Sequence, residues 1–180
     1  MKKLSSILPL ALVLALLFFF SKGLTLDPKA LNSPLVNKKA PSFSITTLDK
    51  PEILVNEQIF LDRVTVLKAW SSGCWACQQE HDFLSQTAKK LPELQWLGLN
   101  YKDERLEAKN WLKAWGDPYQ YHLYDLQGRM GLDYGVYGTP ETFIIDKKGW
   151  LRYKAVGAIT EEKWRQEIEP LIIDLMEETP

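Results

Sequence analysis

Val64-Thr65-Val66-Leu67-Lys68-Ala69-Trp70 runs through Ser71-Ser72-Gly73 into Cys74-Trp75-Ala76-Cys77. The first seven residues are β-branched and apolar enough for a buried strand. The serines and glycine break it and offer a helix N-cap and a flexible joint. The two cysteines open the helix that follows. On that helix Cys77, Leu84 and Leu91 recur every seven residues, with Glu80, His81 and Ala88 at the three- and four-residue offsets, so these positions share one stripe. Cys77 therefore faces inward. Cys74 lies in the first turn, where unpaired N–H groups and the helix macrodipole favour an anion and lower a thiol pKa. It is expected to be the exposed, nucleophilic thiol, with Cys77 as the resolving one. Side chains three apart on a helix stand about 5 to 6 Å from one another, close enough for a small distortion to bring the sulfurs to bonding distance.

Three other uses of the pair compete. A purely structural disulfide usually ties distant segments, since a short loop yields little chain-entropy stabilisation. A zinc site needs two more ligands, and His81 and His122 lack finger spacing after Cys77. Covalent haem attachment needs His directly after the second Cys, where this chain has Gln78. Redox exchange fits best, and it needs no cofactor or metal beyond the Cys74-Cys77 pair.

With 180 residues, 46% hydrophobic and seven each of Trp, Tyr and Phe, the chain can bury one ordinary core. A net charge of -1 without internal basic blocks gives no footprint for nucleic acid. At the N-terminus, Met1-Lys2-Lys3 precedes Leu4 to Phe20, a run interrupted only by Ser5, Ser6 and Pro9. It reads as a positive n-region and a membrane-inserting helix, extended by Ser21 to Leu26 with Lys22 snorkelling. The competing reading is a signal peptide cleaved near Ser21-Lys22-Gly23. The expected organisation is a membrane anchor over 1–26, a linker over 27–40 and a folded domain over 41–180, with the N-terminus cytoplasmic and the domain exported.

In the domain, Phe43 to Thr46 and Ile53 to Val55 suit a small hairpin. Gln95 to Asn100 reads as a strand, and Asp103 to Trp115 as a helix burying Leu106, Ala108, Trp111, Leu112 and Trp115. Tyr121 to Asp125 is a short strand, followed by a helical turn at Met130 to Tyr134. Thr142 to Asp146 and Leu151 to Ala155 flank Lys147-Lys148-Gly149-Trp150 as a hairpin. Thr160 caps a last helix that buries Trp164, Ile168, Leu171, Ile172 and Leu175 and is interrupted at Pro170. The order predicts an α/β fold, a mixed central sheet flanked by helices, with an N-terminal hairpin and a central helical insert.

Strand, Cys-x-x-Cys at a helix start, a later Xaa-Pro before a hairpin and a closing helix together resemble the thioredoxin-like fold. Thr139-Pro140 falls where that fold keeps a cis-proline facing the cysteines, which implies that Thr139 and Pro140 bind substrate, the backbone of Thr139 pairing with it as an added strand. The competing reading is an ordinary turn proline. Cys74-x-x-Cys77-x-x-Glu80-His81, Asn100-Tyr101-Lys102-Asp103 and Gly135-Val136-Tyr137-Gly138-Thr139-Pro140-Glu141-Thr142-Phe143 resemble the DsbE (CcmG) family of membrane-anchored periplasmic thiol:disulfide interchange proteins. The resemblance covers Ala40 to about Leu175 and implies a bacterial inner-membrane protein, single-pass, with its catalytic domain in the periplasm. It implies a reductant of the haem-binding Cys-x-x-Cys-His disulfide of apocytochrome c, re-reduced by a DsbD-type membrane reductase. Glu80 and Glu141 match acidic positions near the family's active site; their competing reading is solvated charge. Two departures stand beside the cysteines: Gly73 precedes Cys74, and Trp75 replaces the usual proline.

Lys68 is a further departure. Strand parity places it on the same side as Trp70, at the position where thioredoxins resemble one another in carrying a buried acid. Glu80 is its expected partner, and the two are expected to set the cysteine acidity jointly. The competing reading is a Lys whose stem lies on the sheet while its amine reaches water. At the level of function, a general periplasmic reductase or oxidase and a redox-inactive, tethered peptide-binding domain remain as alternatives.

Overall fold

The computed structural model describes Pro9, residues 12–21 and residues 33–178. Residues 12–21 form a short helical segment with exposed apolar side chains from Leu12 to Phe20. Among the described residues no helix is long and apolar enough to cross a membrane. The greater part of the expected anchor and the cleavage-site residues Lys22-Gly23 lie outside the described residues.

The folded body is built on a six-stranded sheet in the order β1 (Lys38–Lys39), β8 (Trp150–Val156), β7 (Glu141–Ile145), β4 (Thr65–Trp70), β5 (Gln95–Tyr101), β6 (Tyr121–Asp125). β4, β5 and β6 run parallel, while β7 is antiparallel to both β4 and β8. Helix α1 (Trp75–Lys90) connects β4 to β5, and α2 (Arg105–Trp115) connects β5 to β6. The turn of helix α3 (Arg129–Asp133) precedes β7. A separate two-stranded hairpin pairs β2 (Ser44–Thr46) with β3 (Leu54–Asn56).

Strand alternation sorts the core. Leu67, Ala69, Leu97, Leu99, Phe143 and Ile145 face one side, where Phe60 and Tyr134 meet them. Val66, Trp96 and Ile144 face the other, packed on Leu84 of α1 and on Trp164 and Ile168. Further along that second side Trp70 packs with Cys74, Cys77, Trp111 and Leu112. Burial of each such side chain is worth about 1.5–3 kcal/mol, and all six β4 residues are buried. Lys68 thus sits on a fully covered face between two apolar layers. Its parallel partner in β5 is Gly98, where a Cβ would stand 2.7 Å from Trp70 Nε1 and 3.0 Å from Tyr119 Cδ2. Glycine there lets the Trp70 ring lie across the strand.

Three expectations are corrected. Lys38 and Lys39, assigned to the linker, form β1 against Leu151 and Trp150, and Asn37 N–H donates to the Leu151 carbonyl at 2.7 Å. A two-residue strand has no periodicity to read; it forms because β8 offers it carbonyls. Leu106 and Trp115 are exposed: Ala108, Trp111 and Leu112 complete the inward stripe of α2, Leu106 falls on the opposite face, and Trp115 sits at the helix end. The closing helix runs as α4 (Glu161–Lys163), a π-helical turn over Trp164–Ile168, and α5 (Glu169–Glu177). Glu169 N–H bonds back to the Trp164 carbonyl, so the irregularity precedes Pro170, which lacks an N–H to continue the regular ladder. Trp164, Ile168, Ile172 and Leu175 are buried as their spacing predicts, with Leu171 partly buried.

Candidate active site

The sharp strand-to-helix transition leaves both cysteines at the carboxyl end of β4. Cys74 and Cys77 form a disulfide, S–S 2.06 Å, with Cα atoms 5.2 Å apart. Cys74, rather than one of the serines, is the N-cap of α1, because its sulfur already accepts the Cys77 backbone N–H at 3.0 Å. Cys74 is also more covered than expected, 9% exposed against 3% for Cys77. It packs with Trp70 and Trp111 in the disulfide state.

The loop before the cysteines is tied down on two sides. Ser71 Oγ lies 3.2 Å from Thr139 Oγ1, which joins it to the Thr139-Pro140 segment, and that peptide bond is cis. Ser72 donates its N–H and its hydroxyl to the two carboxylate oxygens of Asp103, and Asn100 Nδ2 donates to the same carboxylate at 2.9 Å. The sequence places Asp103 at a helix start and in the Asn100-Tyr101-Lys102-Asp103 motif, without assigning it a contact. The clasp forms by closure of two loops distant in sequence, and Lys102 beside it has a positive φ of 50°. Trp75 between the cysteines and Tyr137 before Thr139 are strongly exposed.

Glu141 is not a solvated charge. It is fully buried; Oε1 accepts the Tyr137 N–H at 2.8 Å and Oε2 lies 3.0 Å from Lys154 Nζ. Lys154 also donates to the Gly135 carbonyl and sits 4.7 Å from the Tyr137 ring centroid. This buried pair pins the loop that carries Thr139 and Pro140.

Lys68 is 1% exposed, so its amine does not reach water. Its Nζ lies 2.6 Å from Glu80 Oε1 and donates to Thr142 Oγ1 at 2.8 Å. Glu80 Oε2 accepts the Ile159 N–H at 2.6 Å. Burial pushes the Lys68 pKa down against the pull of Glu80, and burial pushes Glu80 up against the pull of Lys68. His81, on the same helix face, is lowered by burial; it donates from Nε2 to the Gly116 carbonyl and meets the Trp111 ring edge-on at 4.6 Å. Among the described residues no group of His, Cys, Asp and Glu is arranged to hold a metal ion.

A reversible Cys-x-x-Cys disulfide at the first turn of the helix after the central strand, beside a cis-proline segment, defines a thioredoxin-like thiol:disulfide oxidoreductase whose redox group is the cysteine pair itself. Comparison with known proteins agrees. The Redoxin family model matches residues 35–169. The thiol:disulfide interchange protein DsbE of Allochromatium vinosum is 41% identical over 167 residues, covering 93% of this chain and 92% of the relative. DsbE of Pseudomonas aeruginosa is 35% identical over 178 residues, 99% and 98% of the two chains. Among solved structures, a secreted Mycobacterium tuberculosis disulfide oxidoreductase homologous to E. coli DsbE superposes with a TM-score of 0.62 at 19% identity, over 74% of this chain and 96% of that one; at that identity the likeness speaks for the fold. The chain belongs to the DsbE family of thiol:disulfide interchange proteins, within the Redoxin fold family.

Proposed function

We propose that this chain is a membrane-tethered periplasmic reductant that opens the disulfide of the Cys-x-x-Cys-His haem-binding segment of apocytochrome c during cytochrome c maturation, and is itself re-reduced by a DsbD-type membrane dithiol. The observation that carries the reading is the helix N–H aimed at one sulfur: the Cys77 N–H donates to Cys74 Sγ. In the dithiol state the same first-turn environment favours the Cys74 thiolate. Cys74 is accordingly the nucleophile. Its thiolate attacks one sulfur of the substrate disulfide, the S–S bond breaks, and the departing sulfur leaves as a thiolate that takes a proton from water. Cys77 then loses its proton and attacks Cys74 Sγ, the mixed disulfide breaks, and the second substrate sulfur leaves as a thiolate that takes up a proton from water. Two electrons pass to the substrate, and the domain is left in the disulfide form.

Thr139 and Pro140 stand beside the cysteine loop through the Ser71 contact, and an extended substrate segment pairs there with the Thr139 backbone. Glu141 and Lys154 hold that segment from beneath, and Trp75, where the family's usual motif has proline, presents an apolar face to the incoming peptide. The tether rests on the apolar run from Leu4 to Phe20 behind Lys2-Lys3. It puts the chain in the bacterial inner membrane as a single-pass protein.

The test is reduction of an oxidised Cys-x-x-Cys-His peptide by the dithiol protein, compared with an oxidised peptide of the same composition lacking the motif. Preferential reduction of the haem-site peptide supports the reading. Equal rates would assign a general reductase.

A further inference from the structure

β4 places Lys68 between Val66 and Trp70 on the face that α1 covers, and α1 places Glu80 three residues after Cys77 on its inward stripe. The two charged groups meet at 2.6 Å with side chains each 2% exposed. Such a buried pair adds little net stability over apolar residues of the same shape. Packing therefore does not account for a pair of opposite charges between the buried strand that leads to the cysteines and the helix face that buries Cys77 one turn before Glu80.

We infer that Lys68 is a positioning residue for the redox step: its fixed positive charge, held against Glu80, sets the acidity of the Cys74–Cys77 dithiol. The inference rests on the exchange reading above. In the dithiol state the buried site holds a neutral Cys77 thiol, a Glu80 carboxylate and a Lys68 ammonium, for a net charge of zero. Passing the thiol proton to Glu80 leaves a thiolate, a carboxylic acid and an ammonium, again zero. Side chains three apart on a helix lie about 5 to 6 Å from one another, a gap that a small helix movement or one water closes. Without Lys68 the same transfer carries an uncompensated negative charge at every stage in a low-dielectric site.

The other ionisable groups around this pair do not supply that charge. Glu141 acts on Lys68 from β7 but is engaged by Lys154. Burial holds His81 below its ordinary range and Tyr119 well above its own, so both stay neutral near pH 7. His122, edge-on to Trp70 from β6, is bonded to Asp117.

The two members of the pair then act in opposite directions. Lys68→Met leaves a carboxyl group and a thiol to ionise as like charges, which raises the pH at which thiolate forms. Glu80→Gln leaves a cation facing the thiol, which lowers it. The test is the pH titration of the Cys77 Cβ carbon resonance in the reduced full-length chain. We expect the midpoint to move up by about one pH unit in Lys68→Met, down by about as much in Glu80→Gln, and to fall between them in the double variant, with Lys68→Arg near the parent. Midpoints that stay put, or both single variants moving the same way, overturn the inference. Should Lys68→Met not fold, the parent protein still decides: the Glu80 carboxyl carbon resonance must change its titration when the disulfide is reduced, and an unchanged titration overturns the inference. If Cys77→Ser traps no mixed disulfide, the exchange reading fails instead, whatever Lys68 does.

Discussion

Ser72 is held twice by Asp103, through its backbone N–H at 2.6 Å and its hydroxyl at 2.7 Å. The acid lies just beyond β5, and the serine lies two residues before Cys74, so one carboxylate fixes the approach of the redox loop to the end of the sheet. Asp103→Ala leaves the Ser72 N–H and the Asn100 amide without this acceptor, at a cost of about 1–3 kcal/mol. Amide exchange at Ser72 and Gly73 should accelerate and thiol exchange should slow. Asp103→Asn, which keeps one acceptor, should lose less. Unchanged protection at Ser72 in Asp103→Ala would show that the loop is held by something else.

Glu141 and Lys154 are buried together at 3.0 Å beneath the Tyr137 to Pro140 segment. Breaking a buried pair from one side costs about 3–5 kcal/mol, because a charge is left unmatched. Lys154→Met should therefore lower the urea midpoint sharply, and Lys154→Met with Glu141→Gln should recover part of the loss. The double variant should still bind peptide more weakly, since the Tyr137 and Gly135 contacts go with the lysine. Strictly additive losses would mean that the two groups are not coupled.

The strand and helix around the cysteines, the hairpin of β7 and β8 and the stripe of the closing helix were all legible, because each is long enough to repeat a period of 2 or 3.6 over several residues. Lys38 and Lys39 were not, since a two-residue strand exists only through its neighbour's hydrogen bonds. Leu106 and Trp115 misled because hydrophobicity alone does not say where a helix face ends. Within the site, parity on β4 and the stripe of α1 suffice to bring Lys68 and Glu80 together. The Asp103 clasp and the Lys154 partner of Glu141 depend on loop closure between distant segments, about which local sequence is silent.

His81 gives the domain a pH-dependent stability of known sign. Burial, partly offset by the Gly116 carbonyl, holds its folded-state pKa below the ordinary 6.5. Below about 6.5 the unfolded chain gains the proton first, so this contribution is complete above that pH and is lost as pH falls towards the folded value. Thermal unfolding of the parent and of His81→Gln between pH 7.5 and 5 should show the parent losing relative stability on acidification, at most about 1.4 kcal/mol per pH unit. Parallel curves would contradict the assignment.

The proposed mechanism divides the labour between the two sulfurs, Cys74 attacking and Cys77 resolving. It is tested most directly by trapping: Cys77→Ser and Cys74→Ser variants of the full-length chain, incubated with an oxidised Cys-x-x-Cys-His peptide and resolved without reductant. Cys77→Ser should accumulate the mixed disulfide through Cys74, and Cys74→Ser should accumulate little. Equal trapping by both variants, or trapping by Cys74→Ser alone, would contradict it.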